Sequence, residues 1–174
     1  MKNYSTEHLR NVGIIGHSGS GKTTLTEAIL YYTKTIDRLG RIENGNTVSD
    51  YNTEEKKRKI SLSTSLASCE YNDVKINLVD MPGYFDFIGE TMEGLRAIDI
   101  AMIVVSGVSG IQVGTEKSWN YVNRDNLPRA FYVNKLDREN SDFGKVLEEL
   151  KQIQNDPTIA GVLLEVNSPG GGVY

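Results

Sequence analysis

The sequence has one cysteine, Cys69, and two histidines, His8 and His17. An internal disulfide is therefore excluded, and no Cys/His set has the spacing of a zinc site. No apolar run approaches the roughly 18 residues that would cross a bilayer, and no signal-peptide pattern stands at the amino terminus, so no membrane partner and a cytoplasmic location are expected. A cationic excess is also missing. With 19 basic against 23 acidic side chains the net charge is −4, so the chain lacks the broad positive surface that non-specific nucleic-acid binding requires. Direct sequence-specific nucleic-acid binding is not expected either, and no internal repeat is present.

What is present fits one domain: 174 residues with 39% hydrophobic and 24% charged side chains can bury a core without a staple. Strand-length apolar segments alternate with helical ones. Asn11–Ile15 reads as a strand and Lys22–Lys34 as a helix with Leu25, Ala28, Ile29 and Tyr32 on one stripe. Residues 36–60 form a polar passage without apolar periodicity, its Gly-Asn and Ser-Asp pairs read as turns, and a loop of that length is expected to be functional or mobile. Alternation returns in SLSTSLASCEY and VKINLVD, a hairpin turned at Asn72-Asp73. A helix over Phe87–Arg96, the strand IAMIVVS, a helix over Thr115–Arg124 and the strand RAFYVNK follow. The helix expected over Ser141–Asn155 has Phe143, Val146, Leu147, Leu150 and Ile153 on one stripe and a Ser141-Asp142 cap, and Asp156-Pro157 ends it. A last strand, IAGVLLEV, runs into NSPGGGVY. This order predicts an α/β class, a doubly wound and mostly parallel sheet with helices on both faces, with ligands beyond the carboxyl ends of its strands.

Three motifs fall at such ends. GHSGSGKT, running through Gly16, His17, Ser18, Gly19, Ser20, Gly21, Lys22 and Thr23 with Thr24 next, matches the phosphate-binding pattern G-x-x-x-x-G-K-[ST] between a strand and a helix. Its glycines let main-chain amides curl around an anion, Lys22 reaches the outer phosphates and the Thr23 hydroxyl binds Mg²⁺. Asp80-Met81-Pro82-Gly83 places a carboxylate to hold the cation through water and the Gly83 amide to sense a terminal phosphate. Asn134-Lys135-Leu136-Asp137 supplies a carboxylate that accepts from two donors that guanine carries and adenine lacks; Asn134 fixes the loop and Lys135 lies along the base. A buried Asp137 would thus reject ATP. Each motif alone also fits an ordinary turn, and their order is what points to a guanine nucleotide, GTP or GDP.

The segments RNVGIIGHSGSGKTTLTEAIL, DMPGYFDFIGE, GIQVGTEKSWNY and LPRAFYVNKLDREN, from about Arg10 to about Lys151, resemble the amino-terminal G domain of translational GTPases, most closely elongation factor G and elongation factor G-like proteins. The resemblance implies a P-loop fold and a GTP-hydrolysing nucleotide switch that works on the ribosome. It also makes the polar passage the family's first switch. There the usual Arg-Gly-Ile-Thr appears as Arg58-Lys59-Ile60-Ser61, which puts Ser61 in the metal shell with Thr23 and Asp80, and a lysine where the family has glycine. Catalysis is implied for Lys22, Gly83 and Tyr84, although Tyr84 stands where elongation factor G has a water-positioning histidine. A phenol with a pKa near 10 is a poor base, so slow turnover is expected; packing of Tyr84 beside Phe85 and Phe87 is the structural alternative. Gly19 and Ser20 replace the family's aspartate and alanine.

The likeness fades after Lys151, dividing the chain into a G domain over 1–151 and a tail over 152–174 that completes the sheet. NDPTIAGVLLEVNSPGGGVY resembles the start of a signal peptide peptidase A domain, but that family's nucleophile and base lie farther on, so Ser168 is unmatched and no peptidase activity is expected. The family's Ser-Ala guanine loop has no clear counterpart beyond Asn167-Ser168, which implies weaker guanine affinity. A non-hydrolysing nucleotide-sensing module, a composite chain without complete activity and an ATP-using enzyme stand as the alternatives.

Overall fold

The structure is a computed structural model that describes residues 2–153 and 162–164. Among the described residues, six strands form one sheet in the order β2-β3-β1-β4-β5-β6. β1 (Leu9–Ile15) is central and pairs in parallel with β3 (Val74–Asp80) on one side and β4 (Ile100–Ser106) on the other. Beyond β4 lie β5 (Arg129–Asn134) and β6 (Val162–Leu164), both parallel; β2 (Ser65–Tyr71) closes the opposite edge antiparallel to β3. The chain therefore leaves β1 at the point where strand order reverses, and this opens a crevice at the carboxyl ends.

Successive residues of each strand face opposite layers. Ile14, Leu78 and Val104 pack with Leu25 and Leu30 of α1 (Lys22–Tyr32) and with Cys69. Their neighbours Ile15, Val79, Ile103 and Val105 pack against the other face, covered by α3 (Ile88–Leu95), α4 (Val113–Arg124) and α5 (Phe143–Ile153) through Leu95, Trp119, Val122, Val146 and Leu150. Each such side chain taken out of water contributes roughly 2 kcal/mol. Asp142 starts α5 by accepting from the Lys145 amide at 2.9 Å, as the sequence predicts. Phe143, Val146, Leu150 and Ile153 belong to that helix's core stripe.

Several boundaries and one face differ from the sequence expectations. The hairpin strand begins at Ser65, so Ser61 to Thr64 precede the ladder. α4 starts two residues earlier than expected, at Val113 after Gln112, and the first helix ends at Tyr32 because Lys34 adopts φ +57. On α1, Ala28 and Tyr32 are exposed; the inward face is Leu25, Thr26, Glu27 and Leu30, so a carboxylate took a place the apolar stripe had assigned elsewhere. The polar passage is not structureless. It holds a short turn of helix at Ile42–Asn44 and the helix α2 (Thr53–Arg58), whose Asn52 and Glu55 form a reciprocal capping box. The expected strand from 159 to 166 is described only at Val162–Leu164; Asn167, Ser168 and the glycine-rich end lie outside the described residues. Among the described residues, no helix is long and apolar enough to cross a membrane.

Candidate functional site

A cleft of about 480 Å³ opens beyond the carboxyl ends of β1, β3 and β5. Its floor is the loop between β1 and α1. Gly16, Gly19 and Gly21 have φ of +147, +77 and +98, and a Cβ on Gly16 or Gly21 would run into Val104 O or Asn134 Nδ2. Only glycine lets the loop pass both places. Lys22, the first residue of α1, folds back over this loop, its Nζ donating to Gly16 O at 3.1 Å and His17 O at 2.9 Å. Burial pulls its pKa down to about 8, against the opposing pull of Asp80 and Asp50. The Gly83 main chain runs beside this ammonium, where a Cβ would collide with Nζ. A cation is thus fixed at the mouth of a curl of amides, a setting for phosphate oxygens.

Thr23, the next residue, is a hub of oxygens. Its hydroxyl donates to Asp80 Oδ2 at 2.9 Å and lies 3.1 Å from Ser61 Oγ, and Ser61 in turn donates to Asp50 Oδ1 at 2.7 Å. Burial raises the Asp80 pKa to about 6, with Lys22 and Thr23 working the other way, and raises that of Asp50 too. Asp80 Oδ1 is buried without a hydrogen-bond partner. Two hydroxyls, two carboxylates and one oxygen lacking a partner form a hard-oxygen set of the type Mg²⁺ prefers, and the residues fit that ion. Ser61, which the resemblance puts in the metal shell, has its hydroxyl beside that of Thr23.

The third motif clasps the first. Asn134 Nδ2 donates to Ser20 O at 3.1 Å, Asn134 Oδ1 accepts from the Lys135 amide at 2.8 Å, and Lys135 Nζ donates to Gly19 O at 2.6 Å. Asp137 reaches the cleft wall, but its side chain is 51% exposed and 3.8 Å from the Arg138 guanidinium. The expectation of a buried Asp137 is corrected: the carboxylate sits on the rim of an open cleft, where water solvates it.

Of the remaining predicted residues, Ser18, Thr24 and Tyr84 line the cleft, with Tyr84 42% exposed at its edge. Gly16, Ser20 and Asp80 lie behind the surface; Ser20 and Asp80 are buried. The His17 side chain turns away toward Gly114 and Phe85, whose ring centroid lies 6.3 Å from its own, and burial and Lys22 lower its pKa. Sequence reasoning missed Asp50, which it read as half of a Ser-Asp turn, together with Ile42, Glu43 and Arg138 on the cleft wall; Lys59 and Ile60, which the resemblance put in the first switch, line it too. Only Asp50 left a trace in the sequence, as an acid eleven positions before Ser61 in a passage of turn-formers.

Residues 7–163 match the family model described as the elongation factor Tu GTP binding domain. The chain is 41% identical over 152 residues to elongation factor G of Granulibacter bethesdensis, covering 87% of this chain and 22% of that protein. It is 42% identical over 149 residues to the tetracycline resistance protein TetP of Clostridium perfringens, 86% of this chain and 23% of that one. It is 40% identical over 150 residues to the mitochondrial ribosome-releasing factor 2 of Drosophila melanogaster, 86% and 20%. A crystal structure of a Thermus thermophilus protein superposes with a TM-score of 0.80 at 44% identity, over 82% of this chain and 22% of that one. The chain thus spans about a fifth of the length of the curated relatives it matches.

Proposed function

The chain belongs to the family of elongation factor Tu GTP-binding domains, and from that premise we propose that it binds and hydrolyses GTP as the nucleotide switch of an elongation factor G-like factor that acts on the ribosome in the cytoplasm. The observation that carries this reading is the buried Lys22 ammonium, tied to Gly16 O and His17 O at the start of α1 with Gly83 beside it. Loop amides and Lys22 stabilise phosphate charge, the Gly83 amide meets the terminal phosphate, and Tyr84 orients the attacking water from the cleft edge. Thr23, Ser61 and Asp80 would hold Mg²⁺, which when bound neutralises charge on the outer phosphate oxygens. Asn134 and Lys135 keep the base loop against the phosphate loop, and Asp137 selects guanine by accepting from its two donors. Residues 1–151 make up this unit, and the tail from 152 adds an edge strand; its likeness to signal peptide peptidase A carries no peptidase activity.

Titration with GDP, GTP and ATP, with and without Mg²⁺, tests the reading. The parent protein should prefer guanine nucleotides. Lys22→Ala should lose about a hundredfold in affinity for both GDP and GTP, the scale of charge-assisted bonds to phosphate, and Asp137→Asn should lose most of the preference over ATP. Equal affinity of parent and Lys22→Ala for every guanine nucleotide would falsify the assignment.

A further inference from the structure

Between α1 and β2 the chain spends some thirty residues crossing the cleft, and these residues contribute Asp50 and Ser61 to the oxygen set. A polar segment with so few apolar residues cannot hold its course by hydrophobic packing, yet Thr47, Ser49, Asp50 and Glu55 are buried. Something else fixes it. Glu27, fully buried on α1, accepts from the Gly40 amide through Oε2 at 2.9 Å and from the Val48 amide through Oε1 at 2.5 Å. Glu55, 2% exposed, accepts from the Asn52 amide through Oε2 at 3.0 Å, and through Oε1 from the amides of Leu62 at 2.9 Å and Ser63 at 3.1 Å. All five bonds go from main-chain N–H groups to carboxylate, the charge-assisted class that is about twice as strong as neutral pairs. Their positions are telling: Gly40 and Val48 precede Asp50, while Leu62 and Ser63 directly follow Ser61.

We propose that Glu27 and Glu55 are positioning residues for the cation-dependent, triphosphate-bound state: two buried carboxylates that pin the main chain on either side of Asp50 and Ser61 and so deliver the Ser61 hydroxyl to Thr23. The proposal rests on the GTP-switch reading above and adds residues that touch neither nucleotide nor metal. Gly40 belongs to the same device, since a Cβ there would strike Glu27 Oε2 and lie 2.8 Å from Asn46 O. Glu27→Gln keeps the shape of the side chain but replaces one acceptor with an N–H₂ that faces a main-chain N–H, so one bond is lost and two donors oppose each other.

The test compares the parent chain with Glu27→Gln, Glu55→Gln, Gly40→Ala, Ser61→Ala and the double variant Glu27→Gln/Ser61→Ala. Affinity for GDP without Mg²⁺, which does not draw on the segment carrying Asp50 and Ser61, should stay within about twofold in Glu27→Gln, Glu55→Gln and Gly40→Ala and also reports that the fold is intact. The gain in affinity for a non-hydrolysable GTP analogue on adding Mg²⁺ should fall about tenfold or more in Glu27→Gln, Glu55→Gln and Gly40→Ala, the factor carried by one charge-assisted bond. Tryptic cleavage after Arg58 or Lys59 in the analogue-bound state should quicken by a similar factor. Because Glu27 acts through Ser61, the double variant should lose no more of the Mg²⁺ gain than Ser61→Ala alone. The inference is overturned if the Gln variants keep the parent's Mg²⁺ gain and cleavage rate, or if the double variant's losses simply add. Should Glu27→Gln fail to bind GDP, Glu55→Gln and Gly40→Ala decide by the same two measurements. A parent chain that binds no guanine nucleotide sinks the GTP-switch reading itself, a result distinguishable from all of these.

Discussion

Tyr84 and Asp80 show how much one side chain sets at this site. Tyr84 follows Gly83 at the cleft edge, with its side chain partly exposed to solvent. Tyr84→His should raise single-turnover GTP hydrolysis about tenfold or more and Tyr84→Phe should lower it, with nucleotide affinity unchanged; equal rates in all three proteins would remove Tyr84 from the chemistry. Asp80 has a folded pKa near 6, raised by burial from 3.8. The folded chain therefore holds this proton more tightly than the unfolded chain does. Stability from that proton is fully present below about 3.8 and disappears as pH rises through about 6. Urea titrations of the nucleotide-free protein at pH 4.5, 5.5 and 6.5 should show Asp80→Asn gaining on the parent as pH rises, whereas parallel curves would contradict the assigned shift. These two residues were legible in the sequence because their neighbours Pro82 and Gly83 mark a strand end. Asp50 was not, since a carboxylate between turn-formers is identified only by what it meets 11 residues later.

At the scale of elements, strands and helices with strong periodicity could be read directly, and the segment joining α1 to β2 could not. α2 has six residues, TEEKKR, without an apolar stripe, so its existence depends on the Asn52–Glu55 capping box and on the acceptors that Glu55 offers to residues beyond it. Short helices gain little from propensity alone. On α1 the apolar stripe holds at Leu25 and Ile29 but misses Glu27, which faces inward and accepts from two amides of a distant loop. α2 ends at Arg58 and is capped by Lys59, whose φ of 57 and ψ of 38 place a side-chain-bearing residue in the left-handed region. That conformation costs a non-glycine residue about 1 kcal/mol. Lys59→Gly should therefore raise the stability of the chain by about 0.5–1 kcal/mol and its melting temperature by roughly 2–3 °C. Lys59→Ala, which removes the charge and keeps the strain, should not. Thermal melts followed by circular dichroism separate the two.

Across the whole molecule, the order of elements told the fold, because alternating strand and helix patterns admit few topologies. The three motifs fall at strand ends that the sheet gathers around one cleft, but their mutual grip comes only from the folded chain. Asn134 holds Ser20 O across 114 positions of sequence, and Lys135 holds Gly19 O across 116. Asn134→Ala should thus weaken GDP binding about tenfold even for analogues that lack the base, such as inorganic triphosphate; an effect confined to base-bearing ligands would contradict a shared loop. One more consequence lies in where the oxygens around Thr23 originate. Thr23 and Asp80 belong to the rigid sheet-and-helix frame, whereas Asp50 and Ser61 arrive from the segment laid across it. The set is split along a seam, half on the frame and half on the segment laid across it. Under the proposed reading, a metal bound there would need both halves at once, and the chain would work as a coincidence detector.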